Sequence, residues 1–246
     1  MARRLDGKCL GNPDWREHPP FTEKTRDELL TYVTSWKPTE RVQKAFGQKP
    51  LRLLVLGPSG HGKSSFVSSI KSCVGRELGQ GAVVGAGMAQ VSRQYNEHTL
   101  IHNNEDLPFV LCDSRGLHEE GEGAGIDGIM KILTGTIQQG EIMPTQKDTV
   151  IEQVMQYHAT DLPLGIIFVV NATKSDNLGG IFSFREYLEK VLEALNDMDI
   201  PRCVVMTHVD CVIESDLKTA FSNQRLEHAV RSAGNLFHVP KHLSSL

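Results

Sequence analysis

Gly57-Pro58-Ser59-Gly60-His61-Gly62-Lys63-Ser64 follows the pattern G-x-x-x-x-G-K-S, and the apolar run Leu51-Arg52-Leu53-Leu54-Val55-Leu56 leads directly into it. Residues of these types at this spacing suit a polyphosphate. Glycines let successive backbone N–H groups turn inward around an anion. A helix starting where the loop ends points its positive end at the same charge. The candidate phosphate-binding residues are Gly57, Ser59, Gly60, His61, Gly62, Lys63, Ser64 and Ser65, with Lys63 as a mobile point charge for the outer phosphates. The Ser64 hydroxyl is a candidate ligand for Mg²⁺, which keeps most of its other ligands as water and phosphate oxygen. The alternative is a glycine-rich turn that holds nothing.

Two further motifs fit the first. Pro108-Phe109-Val110-Leu111-Cys112-Asp113-Ser114-Arg115-Gly116 reads as a strand ending in D-x-x-G. In a phosphate-loop protein an Asp at a strand tip belongs beside Mg²⁺, here Asp113, and the backbone N–H of Gly116 can reach a terminal phosphate. Short Asp/Gly turns are common, so this motif draws its meaning from the loop upstream. Arg202-Cys203-Val204-Val205-Met206 is another strand, followed by Thr207-His208-Val209-Asp210. A carboxylate at Asp210 accepts hydrogen bonds only, and guanine offers it the N1–H and the exocyclic amine; adenine has no such pair. Thr207, His208 and Asp210 are therefore the candidate guanine site, although an ordinary strand-to-helix connection with a solvated Asp210 has the same sequence. The lysine usual two residues before that Asp is His208, which can stack on a base but carries no permanent charge.

For three motifs to meet, the elements carrying them must alternate. Apolar runs predict strands at 51–56, 91–101, 108–113, 164–170 and 202–207, and helical spacing predicts helices at 63–74, 125–134, 149–158, 181–196 and 216–232. Runs such as Gly165-Ile166-Ile167-Phe168-Val169-Val170 suit parallel strands covered on both faces. The expected fold class is α/β: a P-loop NTPase domain, small-GTPase-like, doubly wound with a mainly parallel sheet, lacking the last strand. Residues 1–49 are expected to form an N-terminal extension with one helix, capped by Thr22 or Thr25, and a polar connector between Pro38 and Pro50. Residues 50–246 are expected to form the nucleotide-binding domain, C-terminally truncated.

Composition narrows the function classes. A net charge of −4 over 246 residues argues against nucleic-acid binding by phosphate neutralisation. Five scattered cysteines with no C-x-x-C pair point to reduced thiols in a cytoplasmic protein. No apolar run is long enough for a membrane span.

The chain resembles a GTPase domain, in particular the interferon-induced protein 44 and 44-like family. The resemblance is carried by Leu53-Leu54-Val55-Leu56-Gly57 running into Gly62-Lys63-Ser64-Ser65-Phe66. It is also carried by Ala82-Val83-Val84-Gly85, by Leu107-Pro108-Phe109-Val110-Leu111-Cys112-Asp113 and by Gly121-Glu122-Gly123-Ala124-Gly125. It covers roughly residues 12–246. It implies a cytoplasmic protein of the innate antiviral response that binds GTP and GDP with Mg²⁺ and has an unidentified protein partner.

Several residues bear on hydrolysis. GTPases that orient water with a glutamine place it just after the D-x-x-G glycine; here that residue is Leu117, followed by His118. Glu119, Glu120 and Glu122 add negative charge nearby. Ser92 is the candidate switch residue for Mg²⁺ and the terminal phosphate, with Thr99 as the alternative. Arg93 and Arg115 are candidate internal arginine fingers, or surface ion pairs. The expected activity is nucleotide binding with slow or partner-dependent hydrolysis. A second reading is an interaction protein with a degenerate nucleotide site, and a weaker third is a phosphotransferase.

Overall fold

The run Leu51–Leu56, apolar except for Arg52, forms strand β1, and its position in the middle of a sheet follows from having almost no polar surface to offer water. The computed structural model describes residues 18–20, 22–47, 49–75, 93–117, 123–145, 163–175, 182–198, 200–213, 217–239 and 244–245. Ahead of β1 lie helices α1 (Glu23–Ser35) and α2 (Glu40–Phe46). Thr22 caps the first, its hydroxyl accepting the Thr25 N–H at 3.1 Å, and Thr39 caps the second through the Val42 N–H at 3.4 Å. Gly47 ends α2 at φ 66°. Among its described residues the extension thus holds two helices where one was expected. Helix α2 is 7 residues long, so the spacing of Val42, Ala45 and Phe46 is too short a period to betray it.

After β1 come α3 (Lys63–Gly75), then strands β2 (Asn96–His102) and β3 (Glu105–Asp113). Asn103 and Asn104 join these two strands at φ 51° and 64°, the left-handed pair that a two-residue hairpin turn requires. Strand β2 starts later than expected; residues 91 and 92 lie outside the described set. Next are α4 (Ile126–Leu133), β4 (Gly165–Asn171), α5 (Phe182–Asp197) and β5 (Arg202–Thr207). Short 3₁₀ turns at Val209–Cys211 and Leu217–Ser222 lead to α6 (Gln224–Leu236). The helix expected over 216–232 is therefore two elements, because Asn223 restarts it, its side chain accepting the Leu226 N–H at 3.0 Å. The helix expected at 149–158 lies outside the described residues.

The sheet order is β2-β3-β1-β4-β5-β6, with β6 at Ser244–Ser245. Among the described strands only the β2–β3 pair is antiparallel; the other pairs are parallel. The expectation that no strand follows β5 is corrected here. Val204 pairs with Ser244 and Val205 with Ser245. Two serines carry no alternating pattern, so the strand is invisible to a sequence reading.

Alternation in the strands divides the core into two layers. Leu54, Leu56, Val110, Cys112, Ile166, Phe168 and Val170 pack with α4, α5 and α6. Leu53, Val55, Phe109, Leu111, Ile167 and Val169 face α1 and α3, where Leu30 and Val67 cover them. Phe237, wholly buried after α6, stacks on Phe168 with ring centroids 4.3 Å apart. Phe237→Ala should lower unfolding free energy by about 3–5 kcal/mol in urea denaturation, while leaving the opposite layer, built on α3, intact.

Candidate functional site

The parallel strands β1, β3, β4 and β5 release their chains at one edge of the sheet, so residues 57–65, 114–117, 171–175 and 207–211 converge there. The phosphate loop departs from β1 at Gly57, where φ is 148° and a Cβ would lie 2.2 Å from the Val169 carbonyl oxygen. Only glycine allows β4 to approach so closely. Gly60 and Gly62 also take positive φ, 73° and 85°. Lys63 opens α3, yet its side chain folds back over the loop. Its Nζ donates to the carbonyls of Gly57 and Pro58, both at 3.1 Å. The residue is only 7 % exposed. Burial pulls the ammonium down to about 8, opposed by attraction to Asp113.

Ser64 and Asp113 meet as expected: the hydroxyl donates to Oδ2 at 2.6 Å. The other carboxylate oxygen, Oδ1, is buried with no hydrogen-bond partner among the described residues. An orphaned carboxylate oxygen beside a serine hydroxyl is a donor set that suits a hard cation completed by water and phosphate oxygen, so these residues fit Mg²⁺. Gly116 also sits on the loop: a Cβ there would lie 2.6 Å from Ser59 Cα and 3.0 Å from Lys63 Nζ.

The third motif reaches the loop through His61, whose side chain is 4 % exposed. Its Nδ1 accepts the Asn171 N–H at 3.0 Å, and its carbonyl accepts the Thr207 hydroxyl at 2.8 Å. That hydroxyl has a single proton, so it accepts from His208 Nδ1, 3.1 Å away. His208 itself takes φ 54°, and Asp210 is exposed on the 3₁₀ turn that follows. Burial pulls His61 down to about 4, helped by the charges of Lys174, Lys63 and His208. Asn171 is a site residue that motif reading missed. Its side-chain oxygen also accepts from the N–H and hydroxyl of Thr173, at 2.9 and 2.8 Å, which shapes the turn holding Lys174. The signal for it was only an Asn at the end of a buried strand.

Other expectations fare differently. Ser65 lies in the first turn of α3 and is exposed. Arg115 is buried, with its guanidinium donating to the Met143 carbonyl at 3.3 Å, so it is seated in the fold. Arg93 is exposed at the start of the segment leading to β2. Thr99 pairs with Val110 in mid-strand, away from the loop. Leu117 is wholly buried. Ser92, His118, Glu119, Glu120 and Glu122 lie outside the described residues. No described helix is long and apolar enough to cross a membrane.

No known protein-family profile matches the chain. Interferon-induced protein 44 from Pan troglodytes is 28% identical over 241 residues, which is 96% of this chain and 52% of that protein. Interferon-induced protein 44 from Homo sapiens is 39% identical over 133 residues, 53% of this chain and 29% of that protein. The human interferon-induced protein 44-like is 37% identical over 114 residues, 45% of this chain and 24% of that protein. The resemblance carried by the motifs thus extends over nearly the whole chain, and the chain spans about half the length of the first of these relatives. Among solved structures, a dimerization-deficient mutant of Toc33 from Arabidopsis thaliana matches with a TM-score of 0.45 and 16% identity, covering 89% of this chain and 74% of that one.

The His61 arrangement has a consequence for acid stability. In the unfolded chain the imidazole titrates near its ordinary 6.5, whereas in the folded chain it resists protonation down to about 4. The unfolded state then binds the extra proton, so stability falls as pH drops from about 6.5 to about 4, by at most about 3 kcal/mol. Urea denaturation across this range should show that loss in the parent chain and a smaller one in His61→Ala.

Proposed function

We propose that the chain is a guanine-nucleotide-binding protein of the interferon-induced protein 44 type, acting in the innate antiviral response in the cytoplasm. The observation that carries this reading is the convergence of three motifs on one sheet edge, where Lys63, Ser64–Asp113 and Thr207–Asp210 adjoin through His61. Backbone N–H groups of the loop and Lys63 hold phosphates, and Ser65 and Gly116 add N–H groups at either side. Asp210 takes the guanine edge and His208 packs against the base. Ser64 and Asp113, with Ser92 as a further candidate, hold Mg²⁺, which neutralises charge on the outer phosphates when bound.

Turnover is slow or depends on a protein partner. Leu117 stands where a water-orienting glutamine would, and a wholly buried aliphatic side chain cannot orient water. Arg115, seated against Met143, supplies no charge to a leaving phosphate in this conformation. The same two residues favour the second reading, an interaction protein whose nucleotide site has lost turnover.

Titration with fluorescent GDP, GTP and ATP separates these readings. Guanine nucleotides should bind and ATP should not. Lys63→Ala should weaken guanine-nucleotide binding at least about tenfold, the scale of one buried charged hydrogen bond. Asp210→Ala should erase the preference over ATP. Equal binding of all three nucleotides, or binding indifferent to Lys63, would sink the reading.

A nucleotide held by Lys63 should also reverse that residue's pKa depression, because a phosphate anion favours the charged amine. Above pH 8, binding should therefore take up protons, and affinity should fall as pH rises past about 8. Isothermal titration in buffers of different ionisation enthalpy measures the uptake directly.

A further inference from the structure

His208 stands two residues before Asp210, and its hydrogen bonding limits what it can offer a ligand. The Thr207 hydroxyl spends its proton on the His61 carbonyl at 2.8 Å, so His208 Nδ1 carries the hydrogen in the 3.1 Å contact between the two side chains. In the neutral ring the other nitrogen, Nε2, is then an acceptor only. It has no N–H for a ribose oxygen. His208 therefore supplies no cationic donor to the Thr207–Asp210 side of the site.

A lysine reaches the same place from another strand. The chain turns as soon as β4 ends at Asn171. Asn171 Oδ1 accepts from the Thr173 N–H and hydroxyl at 2.9 and 2.8 Å, and the Asn171 carbonyl accepts the Lys174 N–H at 3.0 Å. Ser175 closes the turn, its hydroxyl donating to the Ala172 carbonyl at 3.2 Å. Two backbone bonds fasten this turn to its neighbours. The Ala172 N–H donates to the Thr207 carbonyl at 2.9 Å, and the Asn171 N–H donates to His61 Nδ1 at 3.0 Å. Lys174 thus starts from a backbone position fixed against both loops.

Its charge stays near them. Burial does most to keep His61 neutral, and among the charges that add to it Lys174 comes first, ahead of Lys63 and His208. An exposed charge is screened more than a buried one, so Lys174 must stand close to the ring to outweigh Lys63. Among the described residues no carboxylate lies within ion-pair distance of its ammonium.

We propose that Lys174 is a ligand-binding residue of this site, supplying from the turn after β4 the cationic donor at the nucleoside end that His208 does not supply. This rests on the guanine-nucleotide reading above and adds a residue to it. Lys63 holds the phosphates, Asp210 selects the base, and the Lys174 ammonium donates to the ribose between them. GDP and GTP share that part of the ligand, so the contact raises affinity for both alike.

The test uses the full chain with Mg²⁺ and fluorescent GDP and GTP. Lys174→Met, which keeps an unbranched stem and removes the charge, should weaken both nucleotides by the same factor, at least about fivefold, the scale of a hydrogen bond from a charged group. Lys174→Arg should keep most of the affinity, because it returns the charge. His208→Lys places a permanent charge in the Thr207–Asp210 loop, and it should raise the affinity of Lys174→Met by a larger factor than that of the parent chain. The unfolding midpoint of nucleotide-free Lys174→Met should match the parent, since an exposed side chain with no ion pair adds little to the fold. Several results would each overturn the proposal while guanine-nucleotide binding stands: unchanged affinity in Lys174→Met, a loss confined to one nucleotide, an equal loss in Lys174→Arg, a His208→Lys effect of the same size in both backgrounds, or a lowered unfolding midpoint. Binding of neither nucleotide by the parent chain would overturn the functional reading and this inference together.

Discussion

Holding a buried ammonium against backbone carbonyls is the constraint around which the sheet edge is organised. An amine that is 7 % exposed must find acceptors, and Lys63 finds them in Gly57 and Pro58. For those two carbonyls to point at Nζ, the chain must leave β1 in a conformation that only glycine adopts, jammed against Val169 of β4. The approach of β4 in turn fixes where Asn171 falls, and Asn171 fixes the imidazole of His61. Placing Asp113 at the end of the neighbouring strand adds a carboxylate that partly offsets the desolvation of Lys63. The geometry of the loop is thus a result of sheet spacing as much as of its own sequence.

His61 ties the loop after β1 to the ends of β4 and β5. It does so only as a neutral ring, since a proton on Nδ1 would remove the acceptor for the Asn171 N–H. Burial opposes its protonation first, and the neighbouring Lys174, Lys63 and His208 add to that. The ring that joins the two loops is therefore kept neutral, with Nδ1 free of a proton and able to accept. Thr207 completes this link. As the last residue of β5 it inherits the strand's direction, and its hydroxyl spends its one proton on the His61 carbonyl.

The parts of this arrangement legible in the sequence are those dictated by short-range patterns. The octapeptide from Gly57, the apolar strands ending at Leu56, Asp113 and Thr207, and the face of α5 built on Leu188, Val191, Leu192 and Leu195 all follow from residue type and period. What stayed hidden depends on distant pairing. Two serines at 244–245 become a strand only because β5 offers a parallel edge beside them. Helix α2 is bounded by Thr39 and Gly47, and its few apolar residues, Val42, Ala45 and Phe46, span too little chain to announce a helix. Arg115 reads as a candidate finger by its place near Gly116, but burial against Met143 gives it a structural occupation. Asn171 reaches His61 through a backbone N–H, which every residue but proline has, so its identity said little about that contact.

Met143 also explains how two separated loops share one support. Its backbone N–H donates to the Arg93 carbonyl at 3.0 Å, just ahead of β2. Its carbonyl and sulfur accept from the guanidinium and the backbone N–H of Arg115, at 3.3 and 3.2 Å, beside the phosphate loop. The surrounding segment strengthens both ties, since Tyr95 exchanges hydrogen bonds with Gly140 and Glu141, and Gly125 donates to the Pro144 carbonyl. Beneath it, Arg52 of β1 donates to the Tyr95 hydroxyl at 2.9 Å and to the Ile132 carbonyl at 2.7 Å, locking the start of β2 and the end of α4 to the central strand. Breaking one of the buried bonds leaves its partner with an uncompensated desolvation penalty, so these ties resist displacement. A displacement of residues 115–117 therefore strains the ties at Met143 and reaches Arg93 through a single residue. The approach to β2 and the loop after β3 are coupled by packing and hydrogen bonds from the same short segment, 139–145, so a change at either one is resisted, or relayed, by the other.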